Sequence, residues 1–135
     1  MKLQHVPLEF VQQVWAAAAP FIDASNKHNG GDFTTEQART LVSMGQWLLV
    51  VGVDAAQNVG GVVLVSFTNM PNDRVAFVPA VSGVGMGDPA VYAQLAAICK
   101  AHGATKIQAS VRKSVARLWR KCGFTTANVI METRI

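Results

Sequence analysis

Charge, cysteine and long apolar runs are all scarce in this chain. Only 15% of its 135 residues are charged and half are hydrophobic, a balance that excludes an intrinsically disordered chain. No apolar run is long enough to cross a membrane, and the first ten residues lack the pattern of a signal peptide. The sequence therefore predicts a globular cytoplasmic protein with no membrane partner.

The two cysteines, Cys99 and Cys122, stand in no Cys-x-x-Cys or Cys/His ligand spacing. This excludes the common zinc patterns, so we expect no metal site and two buried thiols in a reducing compartment. A disulfide between them is the less favoured alternative, and the sequence does not decide whether either thiol reacts. A chain of this length forms one domain and buries a core without disulfides or metals, so residues 1–135 are predicted to be a single domain.

The net charge of +4 is unevenly distributed. Residues 112–135 hold six lysines and arginines and one acidic residue, whereas the rest of the chain holds six basic and seven acidic residues. An excess confined to one helix-sized segment indicates an anionic ligand there. A solvated helix face is the equally weighted alternative.

The hydrophobic pattern predicts an α/β (α+β) fold with a mixed sheet. Two helices come first, one opened by Pro7 and bent or shortened at Pro20, the other capped by Thr34 or Thr35. An antiparallel meander follows, and then a β-α-β-α-β series with helices on both faces of the sheet. The predicted strands are Trp47–Val53, Val59–Phe67, Arg74–Val81, Thr105–Val111 and Phe124–Ile135, and the later helices are Asp88–Gly103 and Arg112–Cys122.

A glycine-rich turn, Ser82-Gly83-Val84-Gly85-Met86-Gly87, joins the third strand of the meander to the next helix. Glycines allow close backbone approach and positive φ angles. The helix that follows has Asp88 as N-cap and Pro89 at its first position, and a helix N-terminus attracts anions. The turn is thus a candidate pyrophosphate site, and the alternative is a loop without a ligand. No Gly-Lys-Ser/Thr follows, which excludes a P-loop.

Two segments carry a family resemblance. The turn from Ser82 to Gly87 fits the form Arg/Gln-x-x-Gly-x-Gly/Ala in every place but the first, where Ser82 stands. The segment from Arg112 to Phe124 is similar to Asn-x-x-Ala…Leu-Tyr-x-x-x-Gly-Phe. Both are patterns of the GNAT N-acetyltransferases, which the chain resembles over about residues 75–135. More narrowly, it resembles the small GNAT-like proteins of tailed bacteriophages and prophages, some of which are associated with virion assembly.

The resemblance implies a GNAT-like sheet and acetyl-CoA as cofactor. In this family the strand before the glycine loop separates from its neighbour and pairs with the pantetheine arm, and the loop holds the pyrophosphate. Pro79 on that strand lacks an N–H and cannot donate one of these bonds. The implied cofactor-binding residues are Phe77, Val81, Ser82, Gly83, Val84, Gly85, Met86, Gly87, Asp88, Arg112 and Arg117.

The same resemblance places Trp119 where the family often has a catalytic tyrosine. An indole N–H donates a hydrogen bond but is no usable acid at neutral pH, and a core aromatic is the other interpretation of Trp119. The strand before the loop carries no carboxylate, so Asp73 and Asp88 are the flanking candidates for a base acting through water. His102 is interpreted as a C-terminal cap of its helix, and Trp15 and Trp47 as core residues.

Two functions therefore remain open from sequence. The first is an N-acetyltransferase that uses acetyl-CoA on an unidentified amine. The second is a catalytically inactive phage protein that acts in virion structure or assembly through contacts with a phage or host protein. The basic face of Lys113, Arg117 and Lys121 suits the 3′-phosphate of CoA or an acidic protein surface, with nucleic acid the least favoured partner.

Overall fold

The computed structural model describes all of residues 1–135 and contains five strands and four α-helices. No helix combines the length and apolar character needed to cross a membrane. In chain order the elements are β1 (Lys2–His5), a 3-10 turn (Leu8–Phe10), α1 (Val11–Asn26), α2 (Thr35–Ser43), β2 (Trp47–Val53), β3 (Val59–Asn69), β4 (Arg74–Gly83), α3 (Pro89–Ala101), β5 (Lys106–Ala109) and α4 (Lys113–Arg120).

The strands form one sheet in the order β1-β2-β3-β4-β5. Strands β1 to β4 are antiparallel neighbours, and β5 is parallel to β4. A tight turn joins β2 to β3, where the Asp54 carboxylate accepts from the amides of Ala56 and Asn58, each at 2.9 Å. Helix α3 makes the crossover that a parallel pair requires. The predicted meander and mixed sheet are confirmed.

Alternating strand residues supply two separate cores, one on each face of the sheet. On β2, Leu49 and Val51 join the cluster that contains the buried residues of α1 and α2. Val50 between them joins the cluster that contains the buried residues of α3 and α4. Successive side chains of a strand point to opposite faces of the sheet, so α1 and α2 pack on one face and α3 and α4 on the other. Helices therefore cover both faces, as predicted.

The helix ends follow local chemistry. Thr34 caps α2 in a capping box, since its side chain accepts from the Gln37 amide and the Gln37 side chain accepts from the Thr34 amide. Asp88 caps α3, and Pro89 occupies its first position. The helix is not shortened at Pro20, as one of the two expectations had it, because α1 continues through this residue as far as Asn26. Pro20 lies on the exposed side of the helix, where water solvates the carbonyl that its ring leaves unpaired.

Strand β1 is not apparent from the sequence, because four residues are too few to show a periodic pattern. Tertiary contacts hold it instead. It pairs with β2 from Lys2/Val53 to His5/Val50, and the Leu3 amide donates to Gln94 Oε1 at 2.9 Å. An acceptor 91 residues away cannot be found from the local sequence.

The expected final strand, Phe124–Ile135, does not form. The hydrogen bonds of a strand are absent there: the Phe124 amide donates to the Trp119 carbonyl, and no later residue makes a backbone–backbone hydrogen bond. Thr125–Ile135 is exposed along its whole length. The residues have a strand pattern, but no strand of this chain pairs with them.

Candidate functional site

Strands β4 and β5 separate partway along their length. They pair in parallel from Val75/Lys106 to Val78/Ala109, and there the pairing ends. Strand β4 continues to Gly83, bonded on its other side to β3. Pro79 is the first residue past the separation, and it has no N–H with which to continue the ladder. The result is a wedge-shaped gap beside the second half of β4.

A cleft of about 1210 Å³ opens at this gap. Typical ligand pockets measure about 300–1,000 Å³, so the cleft has room for more than one small molecule. One wall is β4, the glycine turn and α4, and the other wall is the end of α1 with the loop to α2. The lining side chains include Lys27, His28, Asn29, Asp32, Phe33, Trp47, Phe77, Val81, Ser82, Met86, Arg112 and Trp119.

The glycine turn requires its glycines. Gly83 has φ +127°, and a Cβ there would lie 2.5 Å from the Gly60 carbonyl oxygen and from Gly61 Cα. Gly85 also has positive φ. The amides of Met86 and Asp88 bond back to the carbonyls of Gly83 and Gly85.

The other amides of the turn, on Val84, Gly85 and Gly87, donate to no acceptor within the chain. They bond neither to a backbone carbonyl nor to a side chain. Of these residues only Gly87 lines the cleft. An unpaired amide at a cleft wall is a donor that an anion can accept from.

The first amides of α3 already donate to acceptors within the chain, contrary to the expectation that this helix N-terminus attracts an anion. The Asp88 carboxylate accepts from the Ala90 amide at 2.7 Å, and the Asp88 carbonyl accepts from the amides of Val91 and Tyr92. Pro89 has no donor to offer. An anion bound here therefore depends on the amides of the turn, and the charge of Asp88 lies close by.

Helix α4 packs directly against the turn. A Cβ on Gly87 would lie 3.0 Å from Leu118 Cβ, so this glycine allows the close approach. Trp119 is 4% exposed, belongs to the core cluster and packs against Phe124, with ring centroids 4.8 Å apart. Trp119 therefore forms part of both the core and the cleft wall.

The two walls meet at Arg112 and His28. Arg112 is the N-cap of α4, and its Nη1 lies 3.1 Å from His28 Nε2. A guanidinium only donates, so the imidazole nitrogen accepts, which requires a neutral ring with its proton on Nδ1. This contact brings a permanent positive charge and an imidazole to the same mouth of the cleft.

The structure brings most of the predicted site residues together. Those that line the cleft are Phe77, Val81, Ser82, Gly83, Met86, Gly87, Arg112 and Trp119, and those that do not are Val84, Gly85, Asp88 and Arg117. Val84 is 92% exposed and projects into solvent. Arg117 is also exposed, on a part of α4 that does not border the cleft.

Neither flanking carboxylate serves the cleft. Asp73 lies at the opposite end of β4, where its hydrogen bond with Thr105 and its contact with Lys106 lower its pKa. Asp88 does not line the cleft and is committed to capping α3. His102 caps α3 as expected, with its Nδ1 2.9 Å from the Ile98 carbonyl oxygen.

The two thiols do not bond to each other. Burial raises the pKa of Cys99 to about 11. Burial, with the nearby charge of Asp88, also raises the pKa of Cys122, whose Sγ donates to the Gly87 carbonyl at 3.7 Å. Neither thiol is thus an activated nucleophile at neutral pH.

The wall formed by Lys27, His28, Asn29, Asp32 and Phe33 has no counterpart among the residues expected from sequence. The sequence marks this segment as a loop, but nothing in it places His28 beside Arg112, 84 residues away. Trp47, predicted to be in the core, is half-buried at the cleft and makes an edge contact with Phe33, with centroids 5.2 Å apart.

Comparison with known proteins gives a fold. No protein-family model matches the sequence, and no curated protein is similar to it. Among solved structures, it is similar to a ribosomal-protein-alanine N-acetyltransferase of Brucella melitensis, with 13% identity, TM-score 0.73 and complete coverage of both chains.

Two further structures agree. A predicted acetyltransferase of Clostridium acetobutylicum, crystallised with acetyl-CoA, matches with 11% identity and TM-score 0.68, covering 98% of this chain and 95% of that one. An acetyltransferase of Trypanosoma brucei matches with 11% identity and TM-score 0.65, covering 99% of each. The chain therefore has the fold of the GNAT acetyltransferases.

Proposed function

We propose that this protein binds an acyl-CoA in the cleft between β4 and β5 and transfers the acyl group to an amine. The observation that carries the proposal is the end of the β4–β5 pairing at Val78/Ala109, beside a glycine turn with unpaired amides. The gap leaves one edge of β4 without a strand neighbour, so its backbone can pair with an extended ligand arm.

The residues present fit such a cofactor at three points. The open edge of β4 between Pro79 and Ser82 suits the amide-bearing pantetheine arm. The turn, with the unpaired amide of Gly87 at the cleft, suits the pyrophosphate. Arg112 supplies a positive charge at the mouth of the same cleft. Ser82 stands where the family pattern has an arginine or glutamine. The positive charge at this site is therefore carried by Arg112 on α4 and not by the turn.

Acetyl-CoA, when bound, supplies a thioester already activated for attack by an amine. The amine must be neutral, and His28 is the imidazole that lines the cleft and can take its proton. The His28 Nε2 lone pair is engaged by Arg112. His28 can therefore accept the proton of the amine only when its contact with Arg112 opens. Trp119 donates no proton, so the rest of the rate must come from positioning.

The cleft, which exceeds the usual ligand volume, also has room for the acceptor. Beyond Arg112, its wall carries Lys27, Asn29 and Asp32 together with the Phe33–Trp47 pair. This polar wall is where we place the amine.

Calorimetric titration with acetyl-CoA tests the proposal. We expect micromolar binding, and we expect Arg112→Ala to weaken it roughly three- to tenfold, because an exposed charge pair contributes about 1 kcal/mol. Arg120→Ala is the matched control, since Arg120 lies on the same helix, is exposed and does not line the cleft. Absence of heat at millimolar acetyl-CoA would reject the proposal.

A second candidate is binding without transfer, favoured by the buried Trp119 and by the lack of a cleft carboxylate positioned as a base next to β4. It predicts equal affinity for CoA and acetyl-CoA and no thiol release with any amine. Within the phage resemblance, such a protein would act in virion assembly. Its absence from purified particles and from any stable complex would count against that role.

A further inference from the structure

Three aromatic side chains, Phe33, Trp47 and Phe77, line one end of the cleft. Trp47 of β2 pairs with Ser66 of β3, and Ser66 pairs with Phe77 of β4. Paired residues carry their side chains on the same face of a sheet, so Trp47 and Phe77 stand on one face, two strand spacings or roughly 10 Å apart. The Phe33 ring meets the Trp47 ring edge to face, with centroids 5.2 Å apart and ring planes at 88°. These three residues form the aromatic end of the cleft.

The aromatic end lies far from the glycine turn. Phe77 is next to Val78, the last residue of β4 that pairs with β5. Gly83, where the turn begins, is at the other end of β4, about 20 Å away at the rise of an extended strand. A ligand with its pyrophosphate at the turn and its arm along the open edge of β4 therefore directs its reactive group toward the aromatic end. This end suits the acceptor and not the nucleotide.

The rings of the aromatic end are not covered by the core. Phe33, Trp47 and Phe77 are half-buried, whereas the other two tryptophans, Trp15 and Trp119, are each only 4% exposed. Aromatic rings gain affinity for one another from edge-to-face and offset stacking, in addition to the apolar area that they bury. A flat aromatic group on the ligand is therefore the partner that these three rings favour.

Asp32 supplies a charge beside the aromatic end. It is the one acidic residue that lines the cleft, and it immediately precedes Phe33. The salt bridge of the chain joins Lys106 to Asp73, so the Asp32 carboxylate has no ion-pair partner. Lys27 and Arg112 line the same cleft and disfavour a ligand with several positive charges. The arrangement suits a single ammonium group attached to an aromatic body.

Asn29 fixes the loop that carries Asp32 and Phe33. Its Nδ2 donates to Asn26 Oδ1 at 2.8 Å and to the Phe33 carbonyl at 3.0 Å. Its Oδ1 accepts from the Gly31 amide at 2.8 Å. Because these bonds form without a ligand, the wall is in place before binding, and little entropy is lost in ordering it.

We propose that the acceptor at this site is a primary amine joined to an aromatic ring by a short alkyl chain. The ring packs against Phe33, Trp47 and Phe77, and the ammonium pairs with Asp32 before it loses its proton. This assignment rests on the proposed acyl transfer and specifies the amine that it uses. The amine nitrogen forms an amide bond with the acyl carbon, the thioester C–S bond breaks, and the sulfur leaves with the electron pair and takes up the proton that the amine releases.

Calorimetric titration of the full chain with 2-phenylethylamine, in the presence and absence of saturating CoA, tests the assignment. Ethylamine is the comparator, because it has the same amine and alkyl chain but no ring. We expect 2-phenylethylamine to bind more tightly by about tenfold or more, since burial of the ring adds to its affinity. With acetyl-CoA, we expect kcat/KM to favour 2-phenylethylamine by a similar factor.

Two variants separate the ring from the charge. Phe33→Leu should weaken 2-phenylethylamine about threefold to tenfold and leave ethylamine unchanged, because leucine stays apolar but removes the ring. Its matched control is Phe10→Leu, since Phe10 is 46% exposed and does not line the cleft. Asp32→Asn should weaken both amines about threefold, because both carry the ammonium. Its matched control is Glu36→Gln, an exposed carboxylate of α2 outside the cleft.

Equal affinities for the two amines, no heat with millimolar 2-phenylethylamine, or equal effects of Phe33→Leu and Phe10→Leu would overturn the assignment. Trp47→Leu repeats the comparison should Phe33→Leu lose its cooperative unfolding transition. If acetyl-CoA binds while any of these results is found, the proposed function stands and only the aromatic acceptor is removed. If 2-phenylethylamine binds and acetyl-CoA does not, the acyl transfer is rejected, and the role of acceptor with it.

Discussion

Gly83 shows how a single residue determines the geometry of the cleft. It ends β4 with φ +127°, a region that residues with a Cβ rarely adopt. It also lies so close to β3 that a Cβ would meet the backbone of Gly60 and Gly61 at 2.5 Å. The close contact keeps β4 paired with β3 as far as Gly83, and the turn then begins at the cleft.

We predict that Gly83→Ala lowers the free energy of unfolding by roughly 2–4 kcal/mol, since backbone strain and a backbone clash act together. Gly30→Ala is the matched control. Gly30 has φ +68°, and no atom lies within 4 Å of the position that its Cβ would take, so strain alone should cost about 1–2 kcal/mol. Urea denaturation measures both, and equal losses would contradict the close approach of β3 and β4.

At the same scale, the sequence predicts positions better than orientations. The family resemblance implies Phe77, Val81 and Ser82 as cofactor-binding residues, and all three line the cleft. It cannot show that Val84 projects into solvent, because the direction of a loop side chain depends on backbone angles that glycine leaves unrestricted. Nor can it find His28, whose place beside Arg112 follows from tertiary packing.

At the scale of elements, prediction succeeds where the signal is local. Strand β2 and the caps of α2 and α3 follow from patterns within a few residues. Prediction fails where contacts with distant residues determine the structure. Strand β1 forms because it pairs with β2 and bonds to Gln94, whereas Thr125–Ile135 has a strand pattern without a partner in its chain. A pattern predicts what a segment can form, and a neighbouring strand determines whether it does.

Helix α1 makes a testable exception to the usual effect of proline. Pro20 lies inside the helix and leaves the Ala16 carbonyl without its N–H partner. Pro20→Ala should restore the bond and raise the free energy of unfolding by about 1–3 kcal/mol. Gln13→Ala, at another exposed position of α1, should change it by less than about 0.5 kcal/mol. Thermal and urea unfolding measure both, and destabilisation by Pro20→Ala would show that the proline is needed where it stands.

At the scale of the whole molecule, four elements meet in one aromatic and basic cluster. The His5 ring of β1 makes an edge contact with His102 after α3, with centroids 5.2 Å apart. His102 stacks on Phe67 of β3, and the Arg74 guanidinium of β4 lies 4.6 Å from the centre of that ring. Arg74 also donates to the His102 carbonyl. The cluster joins the first strand to the meander and to the crossover helix, so its charge state affects the whole fold.

Burial lowers the pKa of His5, and the charge of His102 lowers it further. Above about pH 6.5, the ordinary value for histidine, His5 is neutral in both the folded and the unfolded chain and does not affect stability. As the pH falls below that value, the unfolded chain takes up the proton first. The free energy of unfolding therefore decreases until the pH passes below the folded pKa.

We accordingly predict that the melting temperature falls on acidification from pH 7 to pH 5, and that His5→Gln flattens this fall. Glutamine keeps a polar side chain at the position but cannot be protonated, so only the proton-linked part of the stability is removed. Between pH 7 and pH 8, the variant and the original chain should show the same pH dependence, which serves as the internal control. Parallel curves down to pH 5 would mean that the proton bound by His5 is not linked to unfolding, and that the cluster acts through packing alone.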